Sequence, residues 1–255
     1  MNVKKIVRIS LVSLLLVGIV GYIVYATVYM SNPDPKEQCE VLELTFEGGS
    51  KVQFLDRKEV ENLLKEARVY PVGKPMVSVD SRAIEETIAK NAYVEKVVCY
   101  KSSKGKLCLK VDLRKPVIYI LPDGQDGYFV DAAGNEIKNT HYAENLVVAS
   151  GNISKAYAQK ELSQLGVFLL NDEFWNNQIE QIHVIANKGE KPKIELIPRV
   201  GDHVISLGTI DDYEDKLHRL RVFYDKAIGT VGWNKYSRIS IEYNRQIICT
   251  KKKTK

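Results

Sequence analysis

Val94-Glu95-Lys96-Val97-Val98-Cys99-Tyr100-Lys101, then Ser102-Ser103-Lys104-Gly105, then Lys106-Leu107-Cys108-Leu109-Lys110-Val111-Asp112-Leu113. Two alternating runs separated by turn residues read as an antiparallel hairpin. The second run places Leu107, Leu109, Val111 and Leu113 on one face, and the first offers Val94, Val98 and Tyr100. The two sets share a face if opposed residue numbers sum to 207, with Ser103-Lys104 as the turn. A slip of one residue would turn apolar side chains to solvent. This register predicts Cys99 opposite Cys108 on the outer face, where a non-hydrogen-bonded cross-strand pair can close a disulfide. The plainer alternative is two solvent-side thiols on neighbouring strands.

Upstream, Val41 to Phe46 reads as a strand ahead of Gly48-Gly49. Asp56 is placed to cap a helix with Val60, Leu63, Leu64 and Ala67 on one face. Pro71, Gly73 and Pro75 interrupt the pattern. A second helix starts at Asp80 or Ser81, with Ala83, Ile84, Thr87 and Ile88 inward. Residues 40–114 therefore read strand, helix, helix, strand, strand.

Downstream, Gly127-Tyr128-Phe129-Val130-Asp131-Ala132-Ala133-Gly134 reads as a strand and turn, with Asp131 opening the turn and Gly134 at positive φ. A helix is expected over 154–170 with Ala158, Leu162, Leu165 and Leu169 inward, then strands near 179–185, 193–198 and 203–207. An amphipathic helix over 211–228 carries Tyr213, Leu217, Leu220, Tyr224 and Ile228 on one stripe. The last strand is expected over 237–249, following Trp233-Asn234-Lys235-Tyr236. Along it Ile239, Ile241 and Tyr243 face one way, and Arg238, Ser240, Glu242 and Asn244 the other. At least two of the first three fill the core on this reading. A closing strand at a sheet edge leaves backbone groups able to template a partner strand.

At the N-terminus, Ile9 to Met30 is a charge-free apolar run of 22 residues, preceded by Lys4, Lys5 and Arg8 and followed by Asn32-Pro33-Asp34-Pro35. As a helix it spans ~33 Å, enough for a bilayer. The basic flank stays cytoplasmic and the rest of the chain crosses. A cleaved signal peptide would have a shorter apolar core and a small-residue cleavage site; here the run ends in Tyr25-Ala26-Thr27-Val28-Tyr29-Met30. An uncleaved anchor is expected, with Ile9, Leu16, Val20 and Met30 in the membrane.

The formal charge of +5 comes from the ends: the first 35 residues carry +2 and Lys251, Lys252, Lys253 and Lys255 add +4, leaving residues 36–250 at −1. A nucleic-acid binder would carry its basic patch on the folded body, so no nucleic-acid partner is expected. The lysine tail reads as a solvated end. Cys39, Cys99, Cys108 and Cys249 contain no C-x-x-C, and His141, His183, His203 and His218 show no H-E-x-x-H, so neither a metal nor a cofactor is expected. Ser103-Lys104-Gly105-Lys106 matches S-x-x-K but spans a hairpin turn, and no S-D-N or K-T-G follows. That is the wrong context for a Ser/Lys acyl enzyme. Asp211, Asp212, Glu214 and Asp215 suit a helix N-terminus.

The element order of residues 40–114, following a membrane anchor, resembles a POTRA domain. Val111-Asp112-Leu113-Arg114-Lys115-Pro116-Val117 resembles the E-R-x-P-[VIA] boundary of the FtsQ/DivIB family of bacterial division proteins, with Leu113 where Glu is usual. Tyr128 to Gly134 resembles its Y-x-[VI]-D-x-x-G hairpin, Pro198 to Gly208 its P-R-x-G-x-x-x-[IV]-x-L-G stretch, and Lys216-Leu217-His218-Arg219-Leu220 its K-L-x-x-L helix. The order of these motifs, rather than any one of them, carries the resemblance.

The resemblance implies an α+β architecture: a cytoplasmic tail over 1–8, a signal anchor over 9–30, a linker over 31–39, a POTRA domain over 40–114, a β domain over 115–250 and a basic tail over 251–255. It implies a non-enzymatic, single-pass inner-membrane scaffold at the division septum, its periplasmic part holding FtsB- and FtsL-type coiled-coil proteins. The family's final-strand D-L-R-Y motif falls on Ser240-Ile241-Glu242-Tyr243. Partner contact is thereby expected at Ser237, Ile239, Ser240, Ile241, Glu242, Tyr243 and Asn244. The alternatives are a membrane-anchored periplasmic hydrolase and a POTRA-type secretion or assembly factor; the latter usually has several POTRA repeats or leads into a β-barrel.

Overall fold

The computed structural model describes residues 3–27, 37–47, 55–102, 105–138, 146–186 and 189–252, with side chains from Ser10 onward. Gly48-Gly49, Ser103-Lys104, Met30, the 31–36 stretch of the expected linker, His141 and Lys253 to Lys255 lie outside the described residues. Val3–Tyr25 form helix α1, which begins earlier than the expected span and passes into a π-helical turn at residues 26–27; Leu16 and Val20 are exposed on it. Among the described residues no helix is long and apolar enough to cross a membrane.

The chain divides into two compact units, one of residues 1–47, 57–90 and 96–111, the other of residues 48–56, 91–95 and 112–255. In the smaller unit the order is β1 (Val41–Glu47), α2 (Arg57–Glu66), a 3-10 turn at Met76–Ser78, α3 (Ser81–Ala89), β2 (Val94–Lys101) and β3 (Lys106–Leu113). The strands form one sheet in the order β1-β3-β2. Val60 and Leu64 of α2 and Ile84 and Ile88 of α3 are buried, as their helical spacing predicts. Asp80 caps α3, its carboxylate accepting from Ala83 N at 3.1 Å.

The hairpin departs from its predicted register. Ser102 N donates to Lys106 O at 2.8 Å, so this bonded pair sums to 208 where the predicted register requires 207, which leaves one residue more between the strands than a two-residue turn. Gly105 takes φ +64, and a Cβ there would stand 2.5 Å from Gln38 O; a side chain would meet both penalties. The extra loop residue exchanges the faces of the part of β2 nearest the turn relative to β3, while Val94 at the start of β2 is buried as predicted. Cys99 is buried among the inward Leu107, Leu109 and Val111, whereas Val98 and Tyr100 are exposed. Cys108 stays on the outer face, its thiol 3.6 Å from Glu43 Oε2. Cys99 and Cys108 therefore project to opposite sides of the sheet, the disulfide that the predicted register allowed does not form, and all four cysteines are free, Cys99 being buried rather than solvent-side.

The larger unit is a nine-stranded sheet in the order β12-β11-β10-β9-β8-β7-β4-β5-β6. Its elements are β4 (Pro116–Pro122), β5 (Tyr128–Asp131), β6 (Glu136–Ile137), β7 (Val148–Gly151), helix α4 over 155–171, α5 (Glu173–Gln178), β8 (Ile179–Ile185), β9 (Lys193–Pro198), β10 (Val204–Gly208), helix α6 over 213–231, β11 (Tyr236–Ser240) and β12 (Ile248–Lys251). Helices α4 and α6 each contain a turn of π-helix.

Parallel neighbours need a crossover. Helices α4 and α5 supply it between β7 and β8, and α6 between β10 and β11. Ala158, Leu162, Leu165 and Leu169 of α4 and Leu217, Leu220, Tyr224 and Ile228 of α6 are buried with Ile118, Ile120, Ile182, Ile194, Ile205 and Ile239 of the sheet. Asp131 and Gly134 sit as predicted: the Asp131 carboxylate accepts from Ala133 N at 2.9 Å and Asn135 N at 2.7 Å, and Gly134 has φ +83.

The expected last strand over 237–249 is broken in two. Strand β11 ends at Ser240, residues 241–247 form a connection with Arg245 at φ 66, and β12 follows. The expected solvated tail is also partly structured: Lys251 belongs to β12, and Lys252 Nζ lies 2.7 Å from Asp202.

Candidate partner-binding edge

Strand β11 is an interior strand. It pairs in parallel with β10 (Ile205 opposite Ile239) and antiparallel with β12 (Ile239 opposite Cys249). Its backbone groups are occupied on both sides, so it offers a partner strand nothing. Strand β12 pairs with β11 and, among the described residues, with no other strand, which leaves its outer edge open. Ile248, Thr250 and Lys251 are exposed on it, and Cys249 is half-buried toward Ile239.

The expected contact residues are distributed accordingly. Ile239 and Ile241 are fully buried, filling the core as predicted. Ser237 and Ser240 are half-buried in β11. Tyr243 and Asn244 are exposed in the β11–β12 connection, Tyr243 at 50%. Glu242 is turned back on the sheet, 2.9 Å from Lys193 Nζ.

Several contacts hold the edge in place. Arg219 of α6 donates to Ile241 O at 3.1 Å and Tyr243 O at 3.2 Å. Ile241 N donates to Ser206 O at 2.9 Å, prolonging the β10 ladder past the end of β11. Gly208, at φ +74, gives Glu242 room: a Cβ there would lie 2.5 Å from Glu242 Cγ. At the other end Lys252 N donates to Lys235 O at 3.1 Å, while the Lys252 ammonium holds the Asp202 carboxyl below its usual range.

Under this corner lies His203, 1% exposed, with Nε2 2.7 Å from the Tyr224 hydroxyl and its ring stacked on Trp233. Burial lowers the His203 pKa. His203, immediately before β10, is thus packed as a structural side chain.

The edge strand itself was missed by periodicity, which ran one strand from 237 to 249. A signal was present: Asn244-Arg245-Gln246 is a polar run that interrupts the alternation, and Asn and Arg there suit a turn better than a strand interior. Among the described residues no three His, Cys, Asp or Glu side chains are grouped to hold a metal ion. Ser103 and Lys104 of the S-x-x-K match lie outside the described residues.

Residues 115–250, more than half of the chain, match the family model described as FtsQ/DivIB, C-terminal related. Residues 37–112 match the model of a POTRA-like domain. A search of curated proteins finds no match.

Proposed function

The chain belongs to the FtsQ/DivIB-related family of bacterial cell-division proteins, and from that premise we propose that it is a non-enzymatic scaffold of the division machinery that captures a partner by strand addition. The observation that carries this reading is the open outer edge of β12 beside a fully paired β11. An extended segment added there gains main-chain hydrogen bonds, while side chains alternating along it give selectivity. The exposed Tyr243 and Asn244, in the connection leading into β12, flank that edge. FtsB- and FtsL-type coiled-coil proteins are the proposed partners.

On the same reading the chain is a single-pass protein of the inner membrane at the septum. Ile9 to Met30 is its anchor, Lys4, Lys5 and Arg8 remain cytoplasmic, and a POTRA domain over 40–114 and a β domain from residue 115 lie in the periplasm. The support for the anchor is the 22-residue apolar run, part of which continues past the described end of α1.

The test compares the full chain, in lipid nanodiscs, with a chain ending at Ile247, against purified periplasmic segments of FtsB and FtsL. Saturable binding by the full chain and its loss on removing β12, with an unchanged fold by circular dichroism, is the expected result. Equal binding by both chains would exclude the β12 edge, and no binding by either would remove the proposed partners.

A further inference from the structure

The larger unit carries a second surface feature, an open groove of about 620 Å³ between α4 and the start of α6. Its floor is apolar: Val167 and Phe168 of α4 and Tyr213 of α6, all half-buried. The Phe168 and Tyr213 rings meet edge to face at 5.3 Å, which fixes the floor as one packed surface. The groove runs into an adjoining hollow that shares Gln164, Tyr213 and Glu214 and adds Ile210.

The adjoining hollow is lined by acids, of which Glu214 also borders the groove. Glu161 comes from α4, and Asp211, Asp212, Glu214 and Asp215 from the head of α6. Asp211 is paired with Lys191 at 2.6 Å. Lys216 is buried, donates inward to Thr209 O at 2.8 Å and acts electrostatically on Asp211 and Asp212, so the acids left to face an incoming partner are Glu161, Glu214 and Asp215. The helix dipole accounts for acids at this terminus. It does not account for an apolar floor left open beside them.

We propose that this groove is a docking site for an amphipathic helix of a partner protein, one whose apolar stripe is flanked by lysine and arginine. Two neighbouring helical elements form the walls, and apolar anchors spaced i, i+3/i+4, i+7 reach such a floor from one helix face. These acids select cationic flanks, speed their encounter and repel acidic competitors. The proposal rests on the scaffold reading only in taking the partner to be a protein. The groove and the β12 edge are separate surfaces, which lets their failures be told apart.

The test is selection of short helical peptides from a phage-displayed library on the full chain in nanodiscs, followed by fluorescence anisotropy with the selected peptides. Enrichment of apolar residues at helical spacing with Lys/Arg flanks is expected. Binding should weaken about ten-fold or more in Glu214→Lys/Asp215→Lys, each tenfold being about 1.4 kcal/mol, and should fall with added salt. Glu214→Gln/Asp215→Asn is the milder companion variant, with the fold checked by circular dichroism, and should show a smaller loss. The chain ending at Ile247 should bind these peptides as the full chain does. Failure to enrich any such peptide would overturn the proposal. So would enrichment of acidic or strand-forming sequences, or affinity indifferent to the charge changes. A site that takes up only a divalent cation would overturn it as well.

Discussion

Arg114 Nη1 stands 2.9 Å from Asp131 Oδ2, so the arginine of the R-x-P boundary and the aspartate of the Y-x-V-D-x-x-G hairpin form one ion pair. Asp131 is 5% exposed, and its carboxylate also accepts from Ala133 N, Asn135 N and Asn135 Nδ2, while Arg114 Nε donates to Ala92 O at 3.1 Å. Removing the carboxylate strips a turn of its acceptor and leaves a guanidinium without its charge partner. Asp131→Ala should cost about 2–4 kcal/mol in urea unfolding. Arg114→Lys should recover only part of the loss seen with Arg114→Ala, because an ammonium does not reach two acceptors in a fixed fork. Equal stability of wild type and Asp131→Ala would show that the pair holds nothing together.

His203 makes stability depend on pH. Burial lowers its folded pKa below the ordinary value of 6.5, and the facing groups are the Tyr224 hydroxyl, Trp233, Asp202 and Lys252. Between the lowered folded pKa and 6.5 the unfolded chain binds the extra proton, so stability rises with pH across that window. The contribution is fully present above 6.5 and is lost as pH falls toward the folded value. The wild-type unfolding free energy should therefore drop more steeply than that of His203→Gln as pH falls below 6.5, with a slope difference of at most about 1.4 kcal/mol per pH unit, measured by urea unfolding. Parallel pH profiles would refute this.

Thiol labelling tests the register of the β2–β3 hairpin. Burial raises the Cys99 thiol to about 11, and Cys39 is likewise buried and raised. Cys108 and Cys249 are half-exposed. A native thiol assay should find Cys108 and Cys249 reactive and Cys39 and Cys99 protected, with all four labelled after unfolding. Mild oxidation should produce no Cys99–Cys108 bridge; finding one by mass spectrometry would restore the predicted register.

The region expected to bind partners separates into core and surface. Ile241→Ala removes a fully buried side chain and should cost about 2–4 kcal/mol. Tyr243→Ala, at a half-exposed position in the β11–β12 connection, should change stability by no more than about 0.5 kcal/mol. If Tyr243 contacts the partner, its variant should lose affinity at unchanged stability, measured by anisotropy beside thermal melts. A destabilised Tyr243→Ala would place that ring in the core.

Most of the elements were legible in the chain because their signals are local. Apolar spacing places Ala158, Leu162, Leu165 and Leu169 on the buried side of α4. Asp80 caps α3, and Asp131 with Gly134 forms a turn, through contacts within a few residues. The motif order was sufficient for the family. Three features were decided only by tertiary structure. One residue more in the hairpin loop reversed which face is buried near the turn end of β2, at Val98, Cys99 and Tyr100, because strand side chains alternate with a period of two. The interior position of β11 and the edge position of β12 depend on β10 pairing in parallel across α6, a neighbour choice between distant segments that no local pattern encodes. The Arg114–Asp131 pair likewise joins residues whose meeting is set by the pairing of β4 with β5. Periodicity and turn chemistry are written along the chain, whereas strand order, and with it the open edge, exists only once the sheet has assembled.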